Sequence, residues 1–148
     1  MDELVNKMQT VFVNTVILYM KAHKFHFHVR GNDFYEYHKF FQHIYEEVYG
    51  AVDNVGEEIR AIQGYVPFGP AELAQHSTLV DRPLPSSARE MVLELFNDNS
   101  TSMTAIMDAY KAADKFNEIG LSNFLQDRYD AHKKLQYFLR STLQGEDE

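Results

Sequence analysis

The side chains best suited to chemistry lie along one helix that the sequence predicts from Phe34 to Gln63. At about 100° per residue, His38, Gln42, Asp53 and Glu57 fall on one polar stripe of this helix. A second stripe is apolar and marks the face that packs into a core; it comprises Tyr37, Phe41, Ile44, Val48, Val55, Ile59 and Ile62. Imidazole and carboxylate groups are common ligands of divalent transition metals, so the polar stripe is either a metal-binding surface or a solvated face.

The polar stripe is too long to hold one metal ion within a single chain. His38 and Asp53 are fifteen residues apart, which is roughly 22 Å along a helix axis, whereas metal–ligand bonds are about 2 Å long. Two copies of the helix crossing antiparallel about a two-fold axis near Glu47 would bring position 38 of one copy to positions 53 and 57 of the other. Such an interface is isologous and creates two equivalent sites per dimer. A di-iron centre inside one bundle needs Glu-x-x-His repeats, which this chain lacks.

Two further features of the stripe favour a contact surface over plain solvation. Aromatic residues border it, among them Phe34, Tyr45 and Tyr49. Gly56 lies on it in mid-helix, where glycine costs about 1 kcal/mol relative to alanine. We expect another group to approach the Gly56 backbone closely.

The composition bounds the class of protein. The chain has 148 residues and a mass of 17.2 kDa, and we expect one domain spanning residues 1–148. With no cysteine, it has no disulfide, thiolate metal site or cysteine nucleophile. Its formal charge of −8 is wrong for a domain that binds phosphate backbones. The apolar run Val11–Met20 is too short to cross a bilayer, so we expect a cytoplasmic protein without membrane partners.

Four long helices and one interruption are predicted from apolar spacing and from capping residues. Gly31-Asn32-Asp33 separates the first two helices, and an Asn or Asp side chain is expected to cap the second. Gly64 is the expected left-handed residue that ends it. The helices are about Leu4–Phe25, Phe34–Gln63, Ser87–Phe116 and Leu121–Leu143.

The long interruption contains all four prolines, between Gly64 and Pro85. Pro70–His76 is predicted to form a short helix within it. Ser87 to Glu90 is a capping-box pattern that opens the third long helix, and Gly120 separates the third from the fourth. Two helical hairpins joined by one long crossover are typical of an all-α, ferritin-like four-helix bundle.

Two motifs resemble the Dps miniferritins, the ferritin-like proteins named for protecting DNA in starved cells. The segment from His26 to Gly31 reads His-Phe-His-Val-Arg-Gly and is followed by Phe34 and His38. The family pattern is His-Trp-Asn-Val-x-Gly, followed by a Phe and by a second His that lies twelve residues after the first His. Asp53-Asn-Val-Gly-Glu57 matches the later Asp-x-x-x-Glu of that family.

The resemblance implies a set of metal ligands shared between subunits. His26 and His38 would come from one subunit, and Asp53 and Glu57 from the subunit across the two-fold axis. The family's fifth ligand, an Asp four residues after the second His, is here Gln42. Glutamine offers a neutral amide oxygen but no charge, so we expect weaker iron binding, only one tightly bound metal, or a site that favours zinc.

The resemblance also implies an activity. Miniferritins of this family assemble as hollow homododecamers that oxidise Fe(II), usually with hydrogen peroxide and otherwise with oxygen, and store ferric mineral inside. We therefore expect a ferroxidase and iron store. Two alternatives stay open: a metal-sequestering cage with weak or altered ferroxidase activity because of Gln42, and a DNA-binding compactor. DNA binding is not expected, because Lys7 is the only basic residue among the first twenty and the chain ends acidic.

Other polar residues have weaker assignments. The carboxylates of Glu118, Asp127 and Asp130 either line a pore or only favour the start of a helix. His23 is a possible further ligand or a supporting residue beside one. His28 and His43 are expected to be structural, and His76 and His132 to lie at the surface or in an interface. Tyr45 and Tyr49 are expected to pack at the dimer interface rather than to quench oxidising equivalents.

Overall fold

The computed structural model describes residues 1–145, and the last three residues of the acidic tail lie outside this range. The described chain is all-α, which confirms the predicted fold class. A short helix lies in the crossover where it was predicted. The helices are α1 (Asp2–His28), α2 (Phe34–Ala61), α3 (Pro70–His76), α4 (Ala88–Lys115) and α5 (Ile119–Leu143).

The four long helices form two antiparallel hairpins, α1–α2 and α4–α5, that pack together through α1 and α4. The ion pairs between these two helices give their direction. Lys21 in the second half of α1 contacts Asp98 in the first half of α4, and Glu3 at the start of α1 contacts Lys115 at the end of α4. Helices α1 and α4 therefore also run antiparallel, which requires the crossover to return along the length of the bundle.

The crossover is held against α1 by a series of hydrogen bonds. Gln9 donates to the carbonyl of Tyr65, and the Asn14 side chain binds Thr78 one and a half turns later. Lys21 then donates to the carbonyl of Val80 at 2.5 Å and to Asp98 at 2.6 Å. The first three bonds hold the crossover along α1, and the Lys21–Asp98 bond joins α1 to α4.

Three expected helix ends differ from those observed. The left-handed residue after α2 is Gln63, with φ 67°, rather than Gly64. Gly64 is needed instead for space, because a Cβ there would meet Ile59 and Val5 side-chain atoms at 2.9 Å. The break after α4 likewise falls at Asn117, with φ 58°, and Gly120 lies inside α5. No side chain caps the start of α2.

The predicted capping box at the start of α4 is present, with one difference. The Ser87 hydroxyl accepts a hydrogen bond from the Glu90 backbone N–H. The Glu90 carboxylate, however, accepts from both the backbone and the hydroxyl of Ser86 rather than from Ser87. These bonds stabilise the carboxylate and lower the pKa of Glu90, the Ser86 hydroxyl contributing most.

The core consists of two apolar clusters on either side of a buried polar layer. One cluster surrounds Phe12 and Ile59, and the other surrounds Phe25 and Phe41. Between them, α4 and α5 contribute the buried polar residues Asp98, Asn99, Ser102, His132 and Gln136. Among the helices of residues 1–145, none combines the length and the apolar character that a membrane span requires.

Candidate metal centre

His26 and His38 lie side by side where the end of α1 meets the start of α2. Their rings are stacked, with centroids 3.6 Å apart and planes inclined by 19°. The Nδ1 of His26 donates to the carbonyl of His38, and the Nδ1 of His38 donates to the carbonyl of His26, both at 2.8 Å. The two residues therefore lock each other and join the two helices.

This reciprocal pairing determines the tautomer of both rings. A backbone carbonyl only accepts hydrogen bonds, so each Nδ1 must carry a proton. In a neutral imidazole the other nitrogen, Nε2, then presents a lone pair. An Nδ1–H bonded to a carbonyl is also one of the common arrangements that orient a metal-binding histidine.

An aromatic cluster surrounds the histidine pair. His23 packs between Tyr45 and Phe27, with ring centroids 4.0 Å and 4.6 Å away. Its Nδ1 lies 2.9 Å from the Tyr19 hydroxyl, and its ring meets His26 edge to face. His23 is thus placed beside His26, and the phenol engages one of its two nitrogens.

Several of the surrounding rings are exposed in the isolated chain. Phe34 stacks on His38 at 4.9 Å and is 40% exposed. Phe27 is 66% exposed, and Tyr49 is 61% exposed at 4.9 Å from Tyr19. Large apolar rings around a polar pair are typical of a surface that another protein covers.

Gln42 lies one helical turn after His38, on the same face of α2. Its Nε2 donates to the Glu46 carboxylate at 2.8 Å, one turn further along. The predicted ligand Gln42 is therefore next to the histidine pair, with its amide held by a neighbouring acid.

Asp53 and Glu57 lie in the other half of α2 and are both exposed. They line a groove of about 460 Å³ together with the exposed rings of Tyr49 and Phe68. Gly56 also lines this groove. A Cβ at position 56 would lie 3.3 Å from the Phe12 ring, so the expected close approach at Gly56 is made by the chain's own α1.

The five predicted ligands thus form two groups, four of them on one face of α2 and His26 at the end of α1. His26, His38 and Gln42 are together at one end of α2, and Asp53 and Glu57 are together at the other. Within residues 1–145, no three His, Cys, Asp or Glu side chains lie close enough to hold a metal ion. If the predicted centre forms between two copies of the chain, each group supplies half of it; we call the first group the histidine half-site and the second the carboxylate half-site.

The expectation that His132 lies at a surface or interface was wrong for the isolated chain, because this residue is 1% exposed inside the bundle. Its Nδ1 donates to the Asn99 side-chain oxygen at 2.8 Å, and its Nε2 accepts from Arg128 at 3.2 Å. Burial, with a smaller contribution from the Arg128 charge, lowers its pKa to about 3. His132 is neutral and both its nitrogens are occupied.

The buried polar network around His132 was not predicted from the sequence. Asn99 also donates to Gln136 and to the carbonyl of His132, and Gln136 donates to the carbonyl of Phe96. Arg128 continues the network to Glu47 on α2 at 2.9 Å. One signal was present: His132 lies in register with the apolar residues of α5, which predicts an inward side chain.

The remaining polar candidates lie mostly at the surface. His28 and His43, expected to be structural, are both exposed, and the His43 ring packs against Phe138 with centroids 5.8 Å apart. His76 is exposed, as predicted. Glu118 takes the N-cap position of α5 without a capping bond from its side chain. Asp127 and Asp130 are exposed on the first half of the same helix.

Comparison with known proteins agrees with this architecture. A family model described as a ferritin-like domain matches residues 5–147. The DNA protection during starvation protein 1 of Deinococcus radiodurans is 26% identical over 140 residues, covering 94% of this chain and 68% of that protein.

Two solved structures show the same fold. The Dps of Thermosynechococcus elongatus superposes with a TM-score of 0.94 at 20% identity, covering 99% of this chain and 93% of that one. The Dps protein of Vibrio cholerae, described as a member of a broad superfamily of ferritin-like diiron-carboxylate proteins, gives a TM-score of 0.92 at 20% identity and covers 97% and 90% of the two chains. The chain thus belongs to the ferritin-like family, and within it to the Dps miniferritins.

Proposed function

We propose that this protein is an iron-oxidising and iron-storing miniferritin whose reactive centres form between two copies of the chain. The observation that supports this best is the reciprocal pairing of His26 and His38, which leaves both Nε2 atoms available. In the proposed dimer, these nitrogens and the Gln42 oxygen of one copy meet Asp53 and Glu57 of the other. Fe(II) is the substrate of these sites.

The donor set fits a divalent first-row metal. Two neutral imidazoles, an amide oxygen and two carboxylates suit Fe(II), and Zn²⁺ takes the same ligand types. The histidines orient the ion without adding charge. Asp53 and Glu57 add two negative charges, which stabilise the product Fe(III) more than Fe(II) and thereby favour loss of an electron to hydrogen peroxide or oxygen.

The surfaces of the chain support the proposed two-fold pairing. Exposed aromatic rings flank both half-sites, and the groove beside Asp53 and Glu57 is partly apolar. Antiparallel crossing near Glu47 would cover these rings and create two equivalent sites. Such dimers are the unit from which we propose the dodecameric shell is built.

The proposed storage of iron is supported by the negative charge of the chain. The formal charge of −8 per chain attracts cations to a shell and nucleates mineral on its inner surface. Glu118, Asp127 and Asp130 on α5 are the carboxylates that we propose line the entry pores. The cytoplasmic location stays a prediction.

Gln42 gives the alternative function its physical basis. With one anionic ligand fewer than the resembled family, the site could bind iron without oxidising it quickly and act only to sequester metal. Peroxide-dependent Fe(II) oxidation measured by stopped-flow absorbance separates the two functions. We expect oxidation well above the buffer rate, and a rate equal to buffer would leave only the cage.

DNA compaction is the other alternative and is disfavoured by the same charge. A shell of acidic subunits repels phosphate backbones unless a cation bridges them. In a gel shift at about 150 mM salt without Mg²⁺ we expect no retardation, and retardation there would establish DNA binding.

Metal placement tests the proposal directly. A crystal soaked in Fe(II) should show anomalous scattering beside His26 and His38, with Asp53 and Glu57 of a second copy as the facing ligands. Scattering confined to the bundle interior or to α5 would reject the proposed centre.

A further inference from the structure

The amide of Gln42 can take only one orientation beside Glu46. Its nitrogen lies 2.8 Å from a carboxylate oxygen of Glu46. A carboxylate accepts hydrogen bonds and cannot donate them, so the amide NH₂ must face Glu46. The opposite orientation would place two oxygens in contact and lose the bond.

This orientation frees the other end of the amide. Within residues 1–145 no donor hydrogen-bonds to the Gln42 Oε1 atom, which is the only atom of this side chain with a lone pair to give a metal. His38, Gln42 and Glu46 follow each other at intervals of four residues, so they form one row on α2. Glu46 holds the amide from the end of the row away from His38.

We propose that Glu46 is a positioning residue that presents the Gln42 carbonyl oxygen, rather than its NH₂ group, to the metal. This inference depends on the proposed function, because it concerns the same metal site. Without Glu46 the amide can rotate, and the NH₂ group, which carries partial positive charge, then opposes a cation. The Gln42–Glu46 pair therefore replaces a charged ligand by an oriented neutral one.

A double-mutant cycle separates orientation from simple charge. Metal-free assembled protein is titrated with Co²⁺ alone, and binding is followed by the d–d absorption of the bound ion. The variants are Glu46→Ala, Gln42→Ala and the double variant. We expect Glu46→Ala to weaken Co²⁺ binding about tenfold, the usual size for a residue that supports a metal ligand.

The double variant decides between the two explanations. If Glu46 acts through Gln42, the double variant binds Co²⁺ as Gln42→Ala does, to within about twofold. If Glu46 acts by its own charge or binds the metal itself, its loss weakens binding equally in both backgrounds. That additive result would overturn the inference.

Glu46→Gln gives a second discrimination. This variant keeps the size and an acceptor oxygen but loses the charge. Its amide can also donate to the Gln42 oxygen, so it no longer fixes one orientation of the Gln42 amide and should weaken Co²⁺ binding nearly as much as Glu46→Ala does. In the Gln42→Ala background the same change should leave binding unchanged. A loss of binding in that background, or full binding by Glu46→Gln alone, would overturn the inference.

Two further variants serve as controls. Glu36→Ala removes a carboxylate from another face of the same helix and should leave Co²⁺ binding unchanged, whereas a loss like that of Glu46→Ala would point to helix charge in general and count against the inference. His38→Ala tests the proposed function itself. If His38→Ala abolishes Co²⁺ binding while the cycle is additive, only the role of Glu46 fails; if His38→Ala changes nothing, the proposed centre fails.

Discussion

The histidines of this protein occupy two contrasting environments. His132 is buried in the bundle, and both its ring nitrogens are bonded within the chain, to Asn99 and Arg128. His26 and His38 lie where α1 meets α2, and each uses Nδ1 alone, on the other's carbonyl. The first environment is a closed network, and the second leaves two nitrogen lone pairs without a partner in the described chain.

The difference teaches that burial alone does not mark a functional histidine. His132 is the most buried of the histidines, and its pKa is lowered to about 3, yet it has no free nitrogen with which to bind a ligand. A buried, fully bonded imidazole contributes stability and fixes packing. The His26–His38 pair lies beside exposed aromatic rings and keeps two Nε2 lone pairs, with which we propose that it binds a metal.

The largest effect is expected from removing one member of the His26–His38 pair. His38→Ala should abolish tight metal binding at both sites of the dimer, because each site loses one nitrogen ligand and the lock on His26. The metal content after loading with Zn²⁺ or anaerobic Fe(II) measures this, with circular dichroism showing that the helices remain. His43→Ala, an exposed histidine on the same helix, is the matched control; equal metal content in the two variants would refute the assignment.

The buried histidine, His132, is expected to control how the free energy of unfolding depends on pH in the acid range. Folded protein keeps His132 neutral to about pH 3, whereas the unfolded chain protonates it near pH 6.5. Between these values the unfolded state binds more protons, so stability falls as the pH drops, by about tenfold in the folding equilibrium constant per pH unit. The free energy of unfolding, measured with urea at several pH values from 7 to 5, should fall less steeply with decreasing pH for His132→Gln than for the unchanged protein. An identical pH dependence in the two proteins would contradict the buried neutral state.

Removing another member of the hydrogen-bond network around His132 should lower the stability of the fold and leave the proposed metal site intact. Asn99→Ala removes the partner of His132 Nδ1 and of Gln136, leaving buried polar groups unpaired. We expect a loss of about 2–3 kcal/mol in the free energy of unfolding with unchanged Zn²⁺ stoichiometry. Thermal and urea unfolding at one fixed protein concentration measure the first quantity. A stability change below about 0.5 kcal/mol would mean that water replaces the lost side chain.

The smallest effect expected is a gain in metal affinity or in oxidation rate at the proposed metal site. Gln42→Asp restores the anionic ligand of the resembled family and should tighten metal binding by about tenfold or raise the Fe(II) oxidation rate. Isothermal titration with Zn²⁺ and oxidation kinetics measure the two. If neither changes, the missing charge at position 42 does not limit the site.

Much of the fold could be predicted from local sequence because apolar spacing and caps act within a few residues. The α3 bounds and the cap of α4 at Ser87 are examples. The end of α2 was misassigned because a glycine has two uses: Gly64 allows close packing, while Gln63 takes the left-handed conformation. Local sequence does not distinguish these uses.

For the candidate site, spacing predicted which side chains share a face of α2 but not the hydrogen bonds around them. It grouped His38, Gln42, Asp53 and Glu57 and led us to expect a site shared by two copies of the chain, which stays a prediction. The reciprocal bonds of His26 depend on how the end of α1 meets the start of α2, which no local pattern specifies. The bond from Gln42 to Glu46 follows four-residue spacing but depends on the rotamers of both side chains.

Mixing two inactive variants tests the central claim most directly. His38→Ala lacks the histidine half-site, and Asp53→Ala/Glu57→Ala lacks the carboxylate half-site, so neither should bind metal tightly alone. If the sites are shared across a two-fold axis, random co-assembly of the two in equal amounts should restore about a quarter of the full metal content, because half of the dimers are mixed and each mixed dimer contains one intact site. If mass spectrometry shows that mixed assemblies have formed and no metal content is recovered, the result would contradict a centre built by two chains.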